Sequence, residues 1–227
     1  MSMTIEECAA PRAALPVPDT PSSVYAQLSL KDRICLVTGA SGGLGKAAAE
    51  AFAEAGAHLV LWYNASPTSA ESLAADLRST HAVRALTAQV DVSDPLAVQR
   101  GISAAVEAFG RLDVVVANAG MAISKPLLEM DVEEVRRLNG VNAEGVVWCA
   151  KYAGEAFKRQ GKGNLIITGS ISAHVVNVPV DQPVGHTAFS TLILFTPPRS
   201  LSFFHLIFRM EGEGRGRGRF CKGRKWE

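Results

Sequence analysis

Apolar residues fall into short unbroken runs, separated by longer stretches in which they recur every three or four positions. Ile34-Cys35-Leu36-Val37 is the first run; His58 to Tyr63, Ala82 to Val90, Leu112 to Ala117 and Asn164 to Thr168 follow. Runs of this length, apolar on both parities, read as strands buried on both faces. A helix is expected over about 43–55, with Ala47, Ala48, Ala51, Phe52 and Ala55 and a stop at Gly56, and another over 70–79. Ser93-Asp94-Pro95 starts the next helix, with a cap residue and then proline in the first turn; Leu96, Val98, Ile102, Ala105, Val106 and Phe109 line one face, and Gly110 ends it. Asp131 with Glu134 has the form of a capping box and opens one long helix, roughly 131–160. Strands alternating with helices predict an α/β fold, a doubly wound parallel sheet of Rossmann type.

The two ends depart from this rhythm. Residues 1–28, rich in Pro, Ala and Ser at the start, read as a disordered arm; 29–184 read as the Rossmann-type domain. Residues 185–227 read as an irregular, low-complexity basic tail. Thr191 to Phe208 has no clean period, and Glu211 to Gly218 alternates glycine with charge. The sheet is therefore expected to be truncated after its fifth strand, with that strand an open edge. Net charge is +1 overall, but residues 199–227 carry +5 and the remainder −4. Nothing in this balance calls for a nucleic-acid or membrane partner, although Arg-Gly alternation leaves an anionic polymer as a minor alternative for the tail. Four scattered cysteines lack metal-type spacing, and Cys35 and Cys149 fall in core elements. No metal site is expected, and free cysteines with no signal peptide or spanning segment suit a cytoplasmic protein.

The chemistry concentrates in Thr38-Gly39-Ala40-Ser41-Gly42-Gly43-Leu44-Gly45, between the first strand and the first helix. Gly39 permits a tight turn, Gly43 lets backbone N–H groups approach a pyrophosphate, and Gly45 lets the helix pack close to the strand. The helix N-terminus then faces the anion. In dinucleotide folds an acid about 20 residues further on holds the ribose 2′-hydroxyl. Here the second strand ends Trp62-Tyr63-Asn64-Ala65-Ser66, with no carboxylate to repel a 2′-phosphate. That favours NADP(H) over NAD(H), with Ser41, Asn64 and Ser66 as polar support. Asp91 and Val92, after the third strand, are placed to flank an adenine; the plainer alternative is a loop aspartate capping the next helix.

With Asn118-Ala119-Gly120 after the fourth strand, Asn142 in the long helix and Ser170 after the fifth, the order and spacing resemble the short-chain dehydrogenase/reductase family over about 31–184. The stretch Ile166 to Pro179 is similar to the fungal NADP-dependent mannitol dehydrogenase, sorbose reductase and xylulose reductase group. The resemblance implies hydride transfer between a nicotinamide and the CH–OH or carbonyl carbon of a polyol or ketose. It implies that Asn118, Ala119 and Gly120 steady the sheet and border the nicotinamide ribose. Asn142 would hold a relay water, and Ser170 would hydrogen-bond the reacting oxygen. Leu44 lies within the same turn. Lys151 would approach the cofactor side, or is a solvated helix residue.

The resemblance also implies a tyrosine, its pKa of about 10 lowered by a lysine one helical turn away, moving the proton. The chain contains only Tyr25, Tyr63 and Tyr152, and none has a lysine four residues on. Where the pair is due, near 183–186, the sequence reads Pro183-Val184-Gly185-His186. His186 as a substitute donor is the lesser alternative to an incidental histidine. This chain is therefore expected to be inactive, its residues after about 183 arising from a retained intron or frameshift. The alternatives are a non-catalytic NADP-binding protein and an unstable product of mis-splicing. A family-type homo-oligomer is doubtful without the helix that follows the tyrosine.

Overall fold

The computed structural model describes residues 23–169 and, by their backbone, 205–211. Strands β1 (Ile34–Thr38), β2 (His58–Tyr63), β3 (Ala85–Gln89), β4 (Val114–Ala117) and β5 (Lys162–Thr168) are mutually parallel. They lie in the order β3-β2-β1-β4-β5, and β6 (His205–Glu211) runs antiparallel beside β5. The helices are α1 (Val24–Leu28), α2 (Gly43–Glu54), α3 (Pro67–His81), α4 (Pro95–Phe109), α5 (Val132–Asn139) and α6 (Gly145–Gln160). Successive strands advance from β1 to β3 on one side, and the chain then crosses to β4 on the other. This reversal makes a topological switch point at the carboxyl ends of β1 and β4.

Strand side chains alternate between two cores, as runs apolar on both parities require. On one face Leu36, Trp62, Val115 and Leu165 pack with Val98 and Ile102 of α4 and Cys149 and Phe157 of α6. On the other, Val37, Leu61 and Val116 pack with Ala49 and Ala53 of α2 and Leu73 and Leu77 of α3. The buried stripe of α2 is Gly45, Ala49 and Ala53, whereas Ala47 and Ala51 are exposed. Only the smallest residues allow that helix to lie close to β1. Cys35 and Cys149 are buried as expected, and burial pushes both thiols up to about 12, so neither is a nucleophile at neutral pH.

Local signals at the helix ends act as read. Asp94 accepts from the Leu96 N–H with Pro95 behind it, and Gly110 closes α4 in the left-handed region at φ +77°. Asp131 and Glu134 form a full capping box. Leu96 is 57% exposed rather than on the packed face, whose buried residues are Val98, Ile102 and Ala105. The 131–160 helix is not continuous. Gly140–Glu144 form a π-helical turn between α5 and α6, closed by the Gly145 N–H on the Gly140 carbonyl. Packing explains the interruption: a Cβ on Gly145 would lie 2.8 Å from Val92 Cγ2, so α6 starts hard against the loop after β3.

Two further differences concern the ends. Val24–Leu28, inside the expected arm, is a short helix with no buried residue. The fifth strand is not an open edge. β6 pairs with it along its whole length, from Lys162↔Glu211 to Thr168↔His205, satisfying the backbone groups that truncation would have bared. In register, Phe208 stands opposite Leu165 and Leu206 opposite Ile167.

Candidate functional site

The carboxyl ends of β1, β4 and β5 converge on one hydrogen-bonded cluster. Thr38, the last residue of β1, is 1% exposed. Its hydroxyl oxygen accepts from the Asn118 N–H at 2.9 Å and the Ala119 N–H at 2.8 Å. The Asn118 side chain returns the contact, with Nδ2 donating to the Thr38 carbonyl at 3.0 Å. Its Oδ1 accepts from the Thr168 hydroxyl, at the end of β5, at 3.3 Å. Asn118 thus fastens three strand ends together where the chain leaves the sheet.

The glycine turn is built against this cluster. Gly39 has φ +63°, and a Cβ there would lie 3.0 Å from the Ala119 Cα. A Cβ on Gly45 would stand 2.3 Å from the Gly39 carbonyl oxygen and 2.8 Å from Asn118 Nδ2. Both positions exclude any side chain for reasons internal to the fold. Gly43 differs, because a Cβ there would meet nothing within 4 Å. Helix α2 begins beside it with Gly42 as N-cap, no capping side chain and no acid in its first turn. Its leading N–H groups therefore point outward with the positive end of the helix dipole behind them, a setting suited to a phosphate. Ser41 is partly buried in the turn, and Leu44 is 73% exposed.

The remaining expected residues divide into those at this edge and one that stands apart. Asn142, 3% exposed, lies in the π-helical turn. It pairs with Met121 like a strand residue: Oδ1 accepts the Met121 N–H and Nδ2 donates to the Met121 carbonyl, both at 2.8 Å. It therefore fixes the loop that leaves β4, and Gly120 lies 3.5 Å from its Oδ1 by the position of an added Cβ. Asn64 and Ser66 are exposed at the end of β2; Gln89 Nε2 donates to the Asn64 carbonyl, and the Ser66 hydroxyl makes no cap bond to α3. Asp91 Oδ1 accepts from the backbone and the hydroxyl of Ser93, at 2.9 and 2.6 Å, within the loop, while Asp94 and not Asp91 caps the next helix. Val92 is buried against Gly145. Lys151 lies away from this edge: α6 runs from Gly145, packed on Val92, to Gln160, bonded to Leu112 at the opposite edge. Lys151 is exposed midway along it, with its ammonium 4.9 Å from the Tyr152 ring centroid. Ser170 and His186 lie outside the described residues.

Thr168 is the member of the cluster that sequence reasoning missed. Its signal was present as a hydroxyl at the last position of a buried strand, but its partner is 50 residues away. The loop from β4 to α5 has a second anchor, Lys125 Nζ on both Glu134 oxygens at 2.9 and 3.2 Å. That bond holds the Lys125 ammonium above its ordinary value, while the Asp131 N–H and then Lys125 hold the Glu134 carboxyl below its own. Among the described residues no helix is long and apolar enough to cross a membrane, and no group of His, Cys, Asp or Glu is arranged to hold a metal ion.

Residues 33–181 match the family model for short chain dehydrogenase. The chain is 37% identical over 169 residues to a probable NADP-dependent mannitol dehydrogenase of Yarrowia lipolytica, covering 74% of this chain and 60% of that one. It is 40% identical over 165 residues to a sorbose reductase of Candida albicans, covering 71% of this chain and 58% of that one. The chain thus spans about three-fifths of the length of these relatives. Among solved structures, an NADPH-dependent 3-quinuclidinone reductase from Rhodotorula rubra aligns with TM-score 0.76 at 35% identity, over 80% of this chain and 68% of that one. The chain belongs to the short chain dehydrogenase family.

Proposed function

We propose that this short chain dehydrogenase binds NADP(H) across the carboxyl edge of β1 and β4, and that its architecture serves hydride transfer to or from a polyol or ketose. The observation that carries the reading is the glycine turn: Gly39 and Gly45 are demanded by the fold, and Gly43 by nothing in it. A backbone kept bare toward open space, at the N-terminus of a helix without a capping side chain, fits a pyrophosphate. The end of β2 offers Asn64 and Ser66 and no carboxylate, which suits a 2′-phosphate. The names of the relatives, a mannitol dehydrogenase and a sorbose reductase, support the substrate class.

The bound nicotinamide supplies the hydride. The chain's own part is to orient it. Thr38 and Asn118 set the turn, Asn142 holds the Met121 backbone beside it, and Ser170 is proposed to hydrogen-bond the reacting oxygen. A proton must also move, and no tyrosine is positioned for it. Tyr25 is 88% exposed on α1, Tyr63 ends β2, and Tyr152 is 8% exposed in the core under α6. We therefore propose that the 227-residue chain binds NADP(H) without turning substrate over. The test is NADPH titration of the purified chain, by fluorescence and thermal melt, with reduction of fructose, sorbose and xylulose assayed alongside. Saturable binding that raises the melting temperature, with no NADPH consumption, is expected. Measurable ketose reduction sinks the inactive reading, and absence of binding sinks the cofactor reading.

A further inference from the structure

We propose that Thr168 is a positioning residue for the dinucleotide cradle, acting through Asn118. The inference deepens the NADP(H) reading and rests on it for its ligand. The geometry fixes which way the Asn118 amide must face. The Thr38 carbonyl can only accept, so the group 3.0 Å from it is the donating Nδ2. Oδ1 is thereby turned to β5, where the Thr168 hydroxyl donates to it at 3.3 Å. The same Nδ2 is what a Cβ on Gly45 would meet at 2.8 Å, so the amide forms part of the wall on which the glycine turn rests. Ala40 and Lys46 bracket that turn, the first donating to the Trp62 carbonyl at 2.9 Å and the second to the Gly42 carbonyl at 2.7 Å. The hydroxyl at the end of β5 therefore sets the amide, the amide sets the carbonyl end of β1, and β1 delivers the turn. Removing the hydroxyl leaves Oδ1 without this donor and lets the amide rotate away from Thr38.

Thr168→Val keeps the shape and the strand preference of the side chain and deletes only the donor. Thr168→Ser restores the donor without the methyl group. Two readouts are taken on the full chain: amide hydrogen exchange of the ligand-free protein, and NADPH titration. In the valine variant, exchange at residues 38–46 and 118–121 is expected to rise while β5 stays protected. NADPH binding is expected to weaken about 5- to 10-fold, the scale of one hydrogen bond. The serine variant is expected to match the parent in both. Unchanged exchange across 38–46 in the valine variant overturns the proposal, as does a serine variant as impaired as the valine one. If the parent chain itself binds no NADPH, the cofactor reading fails, and the exchange pattern still decides the role of Thr168.

Discussion

At the amino edge of the sheet, Asp113 is 5% exposed and accepts from the Ile34 N–H at 3.0 Å, from Arg33 at 3.2 Å and from Arg111. At the carboxyl edge, the corresponding links are made by neutral groups: two threonine hydroxyls and two asparagine amides. Burial pushes the Asp113 carboxyl up, but the Arg111 and Ile34 hydrogen bonds and then Arg33 outweigh it and hold the group below its ordinary value. That end of the sheet is closed with charge turned inward. Among the described residues the other end holds its strands together without a buried carboxylate, and the first turn of α2 carries no acid to offset its positive end. One sheet thus separates the two tasks: its charged clasp sits a full strand length from the edge that would receive a pyrophosphate.

The comparison breaks most severely at Gly45. Gly45→Ala drives a methyl group to 2.3 Å from the Gly39 carbonyl oxygen, a backbone atom that cannot move without moving β1. A loss of about 2–4 kcal/mol is expected by denaturant unfolding, together with loss of NADPH binding. Binding within twofold of the parent would show that the turn does not carry the cofactor. Asp113→Ala tests the opposite edge. It leaves the buried Ile34 N–H without its acceptor, a cost of about 1–3 kcal/mol, the arginines adding little because both reach solvent. NADPH affinity at neutral pH is expected to stay within about twofold of the parent once folding is allowed for, since no link of the carboxyl edge is cut. The pH dependence has a definite sign. Because the folded carboxyl lies below its unfolded value of about 3.9, its contribution is present above that value and is lost as the pH falls through the folded one. The parent should therefore lose stability in acid more steeply than the alanine variant; equal slopes below pH of about 4 would remove Asp113 as the cause.

The sequence disclosed what depends on near neighbours. Gly39 and Gly45, the Asp94-Pro95 start of α4 and the Asp131–Glu134 box are each read within a few residues, and each acts as read. Contacts that close over long separations were hidden. Asn118 was legible as a motif residue, but its tie to Thr38 spans 80 positions and its tie to Thr168 spans 50. The π-helical turn was hidden for a related reason. Gly140 to Glu144 look like more helix until Gly145 is known to press on Val92. β6 was hidden because His205 to Glu211 straddles the end of an apolar stretch with no clean period and the start of a repeat that alternates glycine with charge, so only its pairing with β5 marks it as a strand. Lys151 was left between the cofactor side and solvent, because a spacing from Asn142 does not say which end of the sheet a side chain reaches; it is exposed on α6 beside the Tyr152 ring.

Gly43 gives the smallest stability effect and the sharpest separation between fold and ligand. It is the first residue of α2, it is exposed, and a Cβ there meets no atom within 4 Å. Its φ is not in the left-handed region that reserves a position for glycine. Gly43→Ala therefore introduces neither strain nor overlap, and the lower backbone entropy of alanine should leave the protein unchanged or more stable by up to about 0.5 kcal/mol. The same methyl group would stand on the bare backbone that the proposed pyrophosphate must approach. NADPH affinity is expected to fall about tenfold, the scale of one displaced charge-assisted hydrogen bond. Gly45→Ala loses stability and binding together, so it cannot say which came first. Gly43→Ala is expected to hold the melting temperature of the ligand-free chain while abolishing much of the shift that NADPH produces. A variant that keeps both the melting temperature and the full shift would mean that the glycine is incidental and the phosphate lies elsewhere.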